Sequence, residues 1–290
     1  MSSWQIIRFI LEWLPTRFKA ALFNLIIRIS ARCGFQLYHN IYRLPFGLVM
    51  KTTSDTNASE AHALRFIESI QGVHAPRLVA YASNAAKAYI IMTWVEGDCC
   101  SDIWDTLTSA DKSRIVAELR TQFRCLRNQT INRRRAICAA SGAPISDPRV
   151  PWLREDSEAR VIHSTREFFE QVWPGLEWCR HSDTLLPALR PLIEREDVPI
   201  VFCHGDTLPK NILLPGGLEK WRSGSAPLCL IDWEFAGWAP QPWEALKATW
   251  LVIDPEEDEW YALMKEVFAE EEADLEADWL WRSKSGVTII

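Results

Sequence analysis

The chain has 290 residues, of which 48% are hydrophobic and 24% are charged, and its formal net charge is −6. This composition is typical of a folded globular protein and excludes a largely disordered one. The negative charge disfavours a nucleic-acid partner, because proteins that bind nucleic acids usually present a basic surface. The length suits two lobes around a cleft.

Residues 1–34 differ in charge from the rest of the chain. They carry five basic residues and one acidic residue, a net charge of +4, so the remainder carries −10. Hydrophobic periodicity predicts helical structure over residues 4–32 with a break near Pro15. In the second piece the apolar residues at helical spacing are Phe18, Ala21, Leu22, Leu25 and Ile29.

Two interpretations of residues 1–34 stay open. A basic amphipathic segment could make a weak contact with an anionic membrane. We expect it instead to pack on the small lobe, because both faces of its second helix are fairly apolar. No apolar run approaches the roughly 18 residues that a membrane span needs, so no span is predicted.

The next elements predict a small sheet with one helix. "YRLPFGLVMK" (42–51) is typical of a β-hairpin around a Pro-Phe-Gly turn. "NASEAHALRFIESI" (57–70) predicts a helix, and "RLVAYA" (77–82) and "AYIIMTWV" (88–95) predict strands. The resulting order is β-β-α-β-β.

Beyond Gly97 the pattern becomes mainly helical, which predicts an α+β protein of two lobes. We place an amphipathic helical segment at 1–34, an N-lobe with the small sheet at 35–97, and a mainly helical C-lobe at 98–290. The helices of the C-lobe are predicted at roughly 101–128, 155–172, 181–195, 242–252 and 256–280. The last of these contains an acidic run, which is most simply a solvated face.

Eight cysteines are scattered without a Cys-x-x-Cys pair. This spacing favours reduced thiols over a zinc site or a disulfide framework. We therefore expect an intracellular, cytoplasmic protein.

The stretch "VFCHGDTLPKNILL" (201–214) places polar residues between two apolar runs, which predicts two strands joined by a turn. A second acid, Asp232, ends the next apolar run. We therefore expect Asp206, Asn211 and Asp232 to lie together at the ends of these strands. Two carboxylates and an amide oxygen suit Mg²⁺, and one carboxylate can accept a proton from a hydroxyl group. Because Asp and Asn also favour turns, this pattern alone leaves a structural role open.

The other half of a phosphoryl-transfer site is indicated by Lys51 and Glu60. Lys51 ends an apolar strand, and Glu60 follows on a helix. A strand lysine held by a helix glutamate is the arrangement with which protein kinases bind nucleotide phosphates. The strand "YIIMTWVEG" (89–97) then leads into the second lobe, where its backbone could bind the edge of an adenine.

Taken together, the sequence resembles the aminoglycoside phosphotransferase and choline kinase branch of the protein-kinase-like superfamily, and within it the fungal phosphotransferase enzyme family. The resemblance runs from about residue 40 to the C-terminus, in family order. Its stretches are "YRLPFGLVMK", "EAHALRFI", "HAPRLVAY", "IIMTWVEG", "AICAASGAPISDPRV", "FCHGDTLPKNILL", "LIDWEFAGWAPQPWEALKATW" and "WRSKSGVTII". It implies a bilobal protein-kinase-like fold, with the nucleotide-binding sheet in 35–97 and the catalytic loop and acceptor site in 98–290. It also implies ATP-dependent transfer of the γ-phosphate to a hydroxyl or amine of a small molecule, with a specialised metabolite among the candidates. In such an enzyme the acidic run near the C-terminus could line the pocket of a cationic acceptor.

The resemblance also implies roles for the polar residues. Asp206 is expected to be the catalytic base, and Asn211 and Asp232 are expected to hold Mg²⁺. Lys51 is expected to contact the α and β phosphates of ATP, and Glu60 to position Lys51.

Four further residues receive roles in the same way. His204 is expected to brace the catalytic loop, and Met92 to lie behind the adenine. The carbonyl of Thr93 and the amide of Val95 are expected to read the adenine edge.

The sequence departs from the kinase pattern in one respect: only "RLPFG" precedes Lys51, where a glycine-rich loop covers the phosphates in kinases. The alternative function is therefore a non-catalytic nucleotide-binding or scaffold protein. A kinase of proteins is disfavoured, because no activation segment follows "DWEFAGW" (232–238). The residues select no particular acceptor and no oligomeric state.

Overall fold

The structure is a computed structural model and describes residues 2–54, 58–84, 87–150 and 160–287. The chain begins with helices α1 (Ser3–Glu12) and α2 (Thr16–Arg32), which are separated at Pro15. Proline suits this place because its fixed φ fits the start of a helix, whereas inside a helix it would remove a hydrogen bond. The predicted break between the two helices is confirmed.

A five-stranded antiparallel sheet follows, in the order β1-β2-β3-β5-β4. Helix α3 (Ser59–Ile67) lies between β3 and β4 in the chain, so the predicted β-β-α-β-β order is confirmed. Sequence reasoning missed β1, because its three residues are all exposed and therefore show no alternation. The strands are β1 (Gln36–Tyr38), β2 (Ile41–Leu44), β3 (Leu48–Thr53), β4 (Leu78–Ser83) and β5 (Ala88–Thr93).

The two faces of this sheet pack against different layers. Successive residues of a strand point to opposite faces. On one face Met50 and Ile91 join the apolar cluster formed with α1 and α2. On the other face Val49 and Ile90 join the cluster that continues through α3 into the larger lobe. The N-terminal helices thus pack on the small lobe, as expected, and cover the sheet face that looks away from the larger lobe.

The face that α2 buries is not the stripe that the sequence singled out. Phe18, Leu22, Leu25 and Ile29 are exposed, whereas Ala20, Phe23 and Ser30 are buried. The helix has apolar residues on both sides, so periodicity identified one stripe but could not tell which stripe faces the sheet.

After residues 94–96 the chain enters the larger lobe through β6 (Gly97–Cys99). The predicted helix at 101–128 forms two helices in the structure. The predicted helix at 256–280 is divided by a 3₁₀ turn. Of the predicted helix at 155–172, residues 155–159 lie outside the described residues. The helices are α4 (Cys100–Ile103), α5 (Ser109–Thr130), α6 (Thr165–Val172), α7 (Ser182–Ile193), α8 (Leu218–Arg222), α9 (Trp243–Thr249), α10 (Glu259–Val267) and α11 (Glu272–Lys284), with 3₁₀ turns at Trp104–Thr106, Pro209–Asn211 and Ala269–Glu271.

Two three-stranded sheets frame the polar loop of the larger lobe. One has the order β7-β11-β8 and the other β10-β9-β6. The strands of the larger lobe are β7 (Cys138–Ala139), β8 (Ile200–Cys203), β9 (Ile212–Pro215), β10 (Cys229–Leu230) and β11 (Gly237–Pro240). The runs on either side of the loop, β8 and β9, therefore lie in different sheets. The hairpin expected from the sequence is wrong here, because an apolar run shows that a strand is buried but not which strand it pairs with.

The acidic run near the C-terminus is only partly solvated. Asp274 and Asp278 are buried and pair with Arg195 and Arg149. Glu271 is also buried, with its Oε1 atom 2.8 Å from Arg127. The expectation of a plain solvated face is therefore wrong for these acids, which bind arginines inside the lobe.

All eight cysteines are free thiols. None of the helices in the described ranges combines the length and the hydrophobicity that a membrane-spanning helix needs.

The packing of α2 on the sheet generates a stability prediction. Phe23 is fully buried and contacts the ring of Tyr89 edge to face at 6.2 Å. We expect Phe23→Ala to lower the free energy of unfolding by about 3–5 kcal/mol, because it leaves a cavity between helix and sheet. The matched control, Phe18→Ala, removes the same side chain from the exposed face and should change it by no more than about 0.5 kcal/mol. Urea unfolding of both variants tests this, and equal losses would contradict the packing described.

Candidate active site

The polar loop between β8 and β9 passes very close to the chain that follows β10. Gly205 has φ +79°, and a Cβ atom at this position would lie 2.5 Å from the carbonyl oxygen of Phe235. Only glycine combines a positive φ with this approach at no steric cost. The next residue, Asp206, is consequently held against the segment that contains Asp232.

Asp206 and Asn211 are brought together as predicted. Asn211 donates from Nδ2 to the carbonyl oxygen of Asp206 and to its Oδ2 atom, both at 2.7 Å. Lys210 adds an ion pair to the same Oδ2 atom at 3.2 Å. Asp206 and Asn211 are both buried, so these contacts fix the carboxylate with little competition from water.

His204 links this loop to the β10 segment. The backbone N–H of Asp206 donates to Nδ1 of His204 at 3.2 Å, so Nδ1 is an acceptor and the ring proton lies on Nε2. Nε2 then donates to the carbonyl oxygen of Ile231 at 2.9 Å. The ring is fully buried and stacks edge to face on Trp233 at 4.5 Å. With both nitrogens bound to the protein interior, His204 is placed to brace the loop.

Glu244 anchors the loop from beneath. This glutamate lies in the first turn of α9 and is buried. Its Oε2 atom accepts from the backbone N–H groups of His204 at 2.6 Å and Gly205 at 3.1 Å. Its Oε1 atom accepts from the hydroxyl of Thr207 at 2.6 Å. One carboxylate thus satisfies three donors of the loop that carries Asp206.

Asp232 lies beside Asn211. The backbone N–H of Ile231 donates to the carbonyl oxygen of Asn211 at 3.0 Å, so the two segments run next to each other. Asp232 has φ +63°, a left-handed conformation that Asp tolerates better than most residues. Its side chain is only partly exposed and is directed to Lys51, with which it forms a hydrogen bond.

Lys51 lies at the centre of three carboxylates. Its Nζ atom is 3.0 Å from Oε2 of Glu60 and 3.0 Å from Oε2 of Glu234, besides its contact with Asp232. Burial alone would lower the pKa of the Lys51 ammonium, but the three carboxylates together raise it above its usual value. Burial raises the pKa of Glu60 to about 7, against the opposing effect of Lys51. The ion pair of strand lysine and helix glutamate is therefore present.

This cluster fits a cation. One carboxylate oxygen from each of Glu60, Asp232 and Glu234 lies within 4.8 Å of the other two, and the Lys51 ammonium contacts all three residues. Hard oxygen donors in negative excess are the donor set that Mg²⁺ prefers, with nucleotide phosphates completing its shell. Asn211 lies on the neighbouring segment, where its backbone carbonyl accepts from the N–H of Ile231, while its side-chain amide donates to Asp206.

The residues predicted to bind adenine lie at the junction of the lobes. Met92 and Thr93 end β5, and Val95 lies in the short connection to β6. Met92 is buried and pairs with Val49 of β3 across the sheet. Their contact with a nucleotide stays a prediction.

The turn before Lys51 has no glycine-rich loop but is tightly folded. Leu44 pairs with Leu48, so three residues connect β2 to β3. Phe46 and Gly47 have φ values of +64° and +68°, and the ring of Phe46 is exposed at the tip. The carbonyl of Gly47 accepts from the N–H of Trp94, which fixes the turn to the connection between the lobes.

Sequence reasoning missed Glu234 and Glu244. Glu234 follows Asp232 by two residues, so its proximity to Asp232 in the sequence was a signal that it could join the Lys51 cluster. Glu244 is an acid within the apolar run "PWEAL", a pattern that indicates a buried carboxylate with hydrogen-bond partners. In the structure all residues of its helix are buried.

Comparison with known proteins identifies the family. The model of the phosphotransferase enzyme family matches residues 51–277, and the chain belongs to this family. Among solved structures, an aminoglycoside-3'-phosphotransferase of type VIII is 19% identical with a TM-score of 0.49 over 84% of this chain and 88% of that one. Aminoglycoside phosphotransferase APH(3'')-Id from Streptomyces rimosus, in complex with ADP and streptomycin, is 15% identical with a TM-score of 0.47 over 93% and 92%. A search of curated proteins gave no match.

The contacts of Glu244 predict that its charge stabilises the loop. Glu244→Gln keeps the size of the side chain but directs an NH₂ group at a donor of the loop. We expect the free energy of unfolding to fall by about 1–3 kcal/mol, the range for leaving a buried polar group unsatisfied. The control is Glu219→Gln at an exposed side chain, where an ion pair with Arg222 contributes little. Urea unfolding compares the two, and equal stability of both variants would exclude the anchoring role.

Proposed function

We propose that the protein is an ATP- and Mg²⁺-dependent kinase that transfers the γ-phosphate to a hydroxyl or amine group of a small molecule. Its family assignment supports a phosphotransferase of small molecules. The observation that carries the proposal is the meeting of two groups in one place: the buried Asp206–Asn211 pair and the Lys51 cluster, joined through neighbouring backbone at Asn211 and Ile231. Phosphoryl transfer needs both a positioned base and a centre of positive charge for the phosphates.

Asp206 is assigned the role of base. Asn211 and Lys210 both bind its Oδ2 atom, which orients the carboxylate so that Oδ1 can receive an acceptor hydroxyl. As the acceptor oxygen bonds to the γ-phosphorus, its proton passes to this carboxylate, the bond from the γ-phosphorus to the β,γ-bridging oxygen breaks, and ADP leaves. Glu244 and His204 act through the backbone of the loop and hold Asp206 in place.

Lys51 is assigned to the α and β phosphates of ATP. In the structure its ammonium is bound by three carboxylates, and the phosphates would replace part of this set while Glu60 keeps the ammonium in position. Asn211 and Asp232 would hold Mg²⁺, which when bound neutralises charge on the phosphates. The protein supplies positioning and electrostatic stabilisation, with no covalent intermediate.

The second candidate function is a nucleotide-binding scaffold without catalysis. The short turn over residues 45–47 favours it, because this turn offers fewer backbone amides to phosphates than a glycine-rich loop does. Retention of a base together with metal-binding residues favours the enzyme.

Asp206→Asn should abolish most turnover but spare nucleotide binding. Labelled ATP with fractions of a cell extract identifies a working acceptor first. The variant keeps size and hydrogen bonding but not the basic carboxylate, so we expect phosphoryl transfer to fall by about two orders of magnitude or more. ATP affinity should stay nearly unchanged. The control, Asp105→Asn at an exposed position, should transfer phosphate normally. Near-normal turnover of Asp206→Asn would show that Asp206 is not the base.

Metal and nucleotide should bind with positive coupling. In calorimetric titrations of the wild type, the affinity for ATP should be about 5- to 150-fold higher in Mg²⁺ than in chelator, which is the usual size of such coupling. Asn211→Ala and Asp232→Ala should each lose most of this difference, because the metal loses one of its few protein oxygens. Metal-independent ATP binding that is the same in all three proteins would favour the scaffold.

A further inference from the structure

The two N-terminal helices expose an extensive apolar surface. On α1 the exposed apolar side chains are Ile6, Phe9, Ile10 and Trp13, and on α2 they are Phe18, Leu22, Leu25 and Ile29. Phe9 is 58% exposed and Trp13 is 78% exposed. Next to the end of α2, Phe35, Leu37 and Tyr38 of the β1 region are exposed as well. Monomeric proteins rarely leave so many large apolar side chains together in water.

These residues form ordered stripes. On α1 they recur at i, i+3, i+4 and i+7, and on α2 at i, i+4, i+7 and i+11, which places each set along one side of its helix. Each helix has another apolar side that packs on the small-lobe sheet, with Leu11 on α1 and Phe23 on α2. The exposed stripes therefore lie on the sides turned away from the sheet. We call them the outer face.

Basic residues border the outer face. Arg17, Arg28 and Arg32 of α2 are exposed, and helical geometry puts them on or beside the stripe of Phe18, Leu22, Leu25 and Ile29. None of the three forms an ion pair within the part of the chain that the structure describes. The single acid of the segment, Glu12, lies 3.4 Å from Arg8 and 3.8 Å from Arg65.

We propose that the outer face docks on the surface of a bilayer containing anionic phospholipids. Its apolar side chains would enter the boundary between headgroups and acyl chains, and the three arginines would bind lipid phosphates and carboxylates. Trp13 and Tyr38, 78% and 69% exposed, are the residue types that favour this boundary.

Charge favours a membrane over a second copy of the chain. The exposed charges that border the outer face are Arg17, Arg28 and Arg32, so two outer faces placed together would bring like charges close to each other. An anionic lipid surface is complementary instead. The remainder of the chain carries −10, which would be repelled by such a surface and would hold the larger lobe away from it.

Docking in this way leaves the candidate active site open. α1 and α2 pack on the sheet face that carries Met50 and Ile91. Lys51 is adjacent to Met50 in β3, so its side chain points to the opposite face, where it meets Glu60 and Asp232. The protein could bind a bilayer and a soluble nucleotide at the same time.

Vesicle co-sedimentation of the full chain tests the proposal. The probes are vesicles of phosphatidylcholine alone and vesicles that also contain phosphatidylserine. We expect binding to the anionic vesicles, little binding to the neutral ones, and weakening by salt. Phe18→Ser with Leu22→Ser and Leu25→Ser should lower partitioning at least about 100-fold. Each of Arg28→Gln and Arg32→Gln should lower it about fivefold.

The control replaces equally exposed apolar residues of the larger lobe, Leu251→Ser with Ile253→Ser, and should bind like the wild type. Thermal unfolding checks that each variant is folded. We expect the variants to stay folded, because the outer face contributes little to the packed core. Absence of binding to both kinds of vesicle would overturn the proposal. The proposal would also be overturned if the wild type were a dimer in size-exclusion chromatography and the triple variant a monomer, while the triple substitution left vesicle binding unchanged.

Discussion

The interaction on which the site depends is the set of ion pairs around Lys51. Its ammonium comes from a strand of the small lobe, Glu60 comes from α3, and Asp232 and Glu234 come from the segment after β10 in the larger lobe. Removing an ammonium from water is costly unless partners compensate. The three carboxylates supply that compensation only when strand, helix and segment are all in place, so the charge of one lysine ties the two lobes together.

The same cluster carries an excess of negative charge. Three carboxylates face one ammonium, and burial raises the pKa of Glu60 to about 7 because its charged form is poorly solvated. A bound cation would relieve this repulsion, which is the physical reason to propose Mg²⁺ beside Asp232. The neighbouring loop is prepared in advance: Gly205 permits the close approach, and Glu244 satisfies its amide donors before any ligand arrives.

Local patterns of the sequence predicted most elements but not how they combine. The break at Pro15, the hairpin before Lys51 and the helix carrying Glu60 follow from propensity and spacing, and the structure has all three. The pairing of β8 and β9 with different sheets depends on distant strands, which no local pattern encodes. Asp278 resembled a solvated acid for the same reason, because Arg149, its buried partner, lies 129 residues away in the chain.

The outer layer of the small lobe shows the limit of periodicity most directly. A helix that covers a sheet and meets water needs one apolar side, and the opposite side is ordinarily polar. On α2 both sides are apolar, so the sheet accounts for Phe23 and its neighbours but leaves Phe18, Leu22, Leu25 and Ile29 without a physical reason inside the chain. Folding alone gains nothing from these exposed side chains, whereas a lipid surface would remove them from water and pair with the arginines beside them.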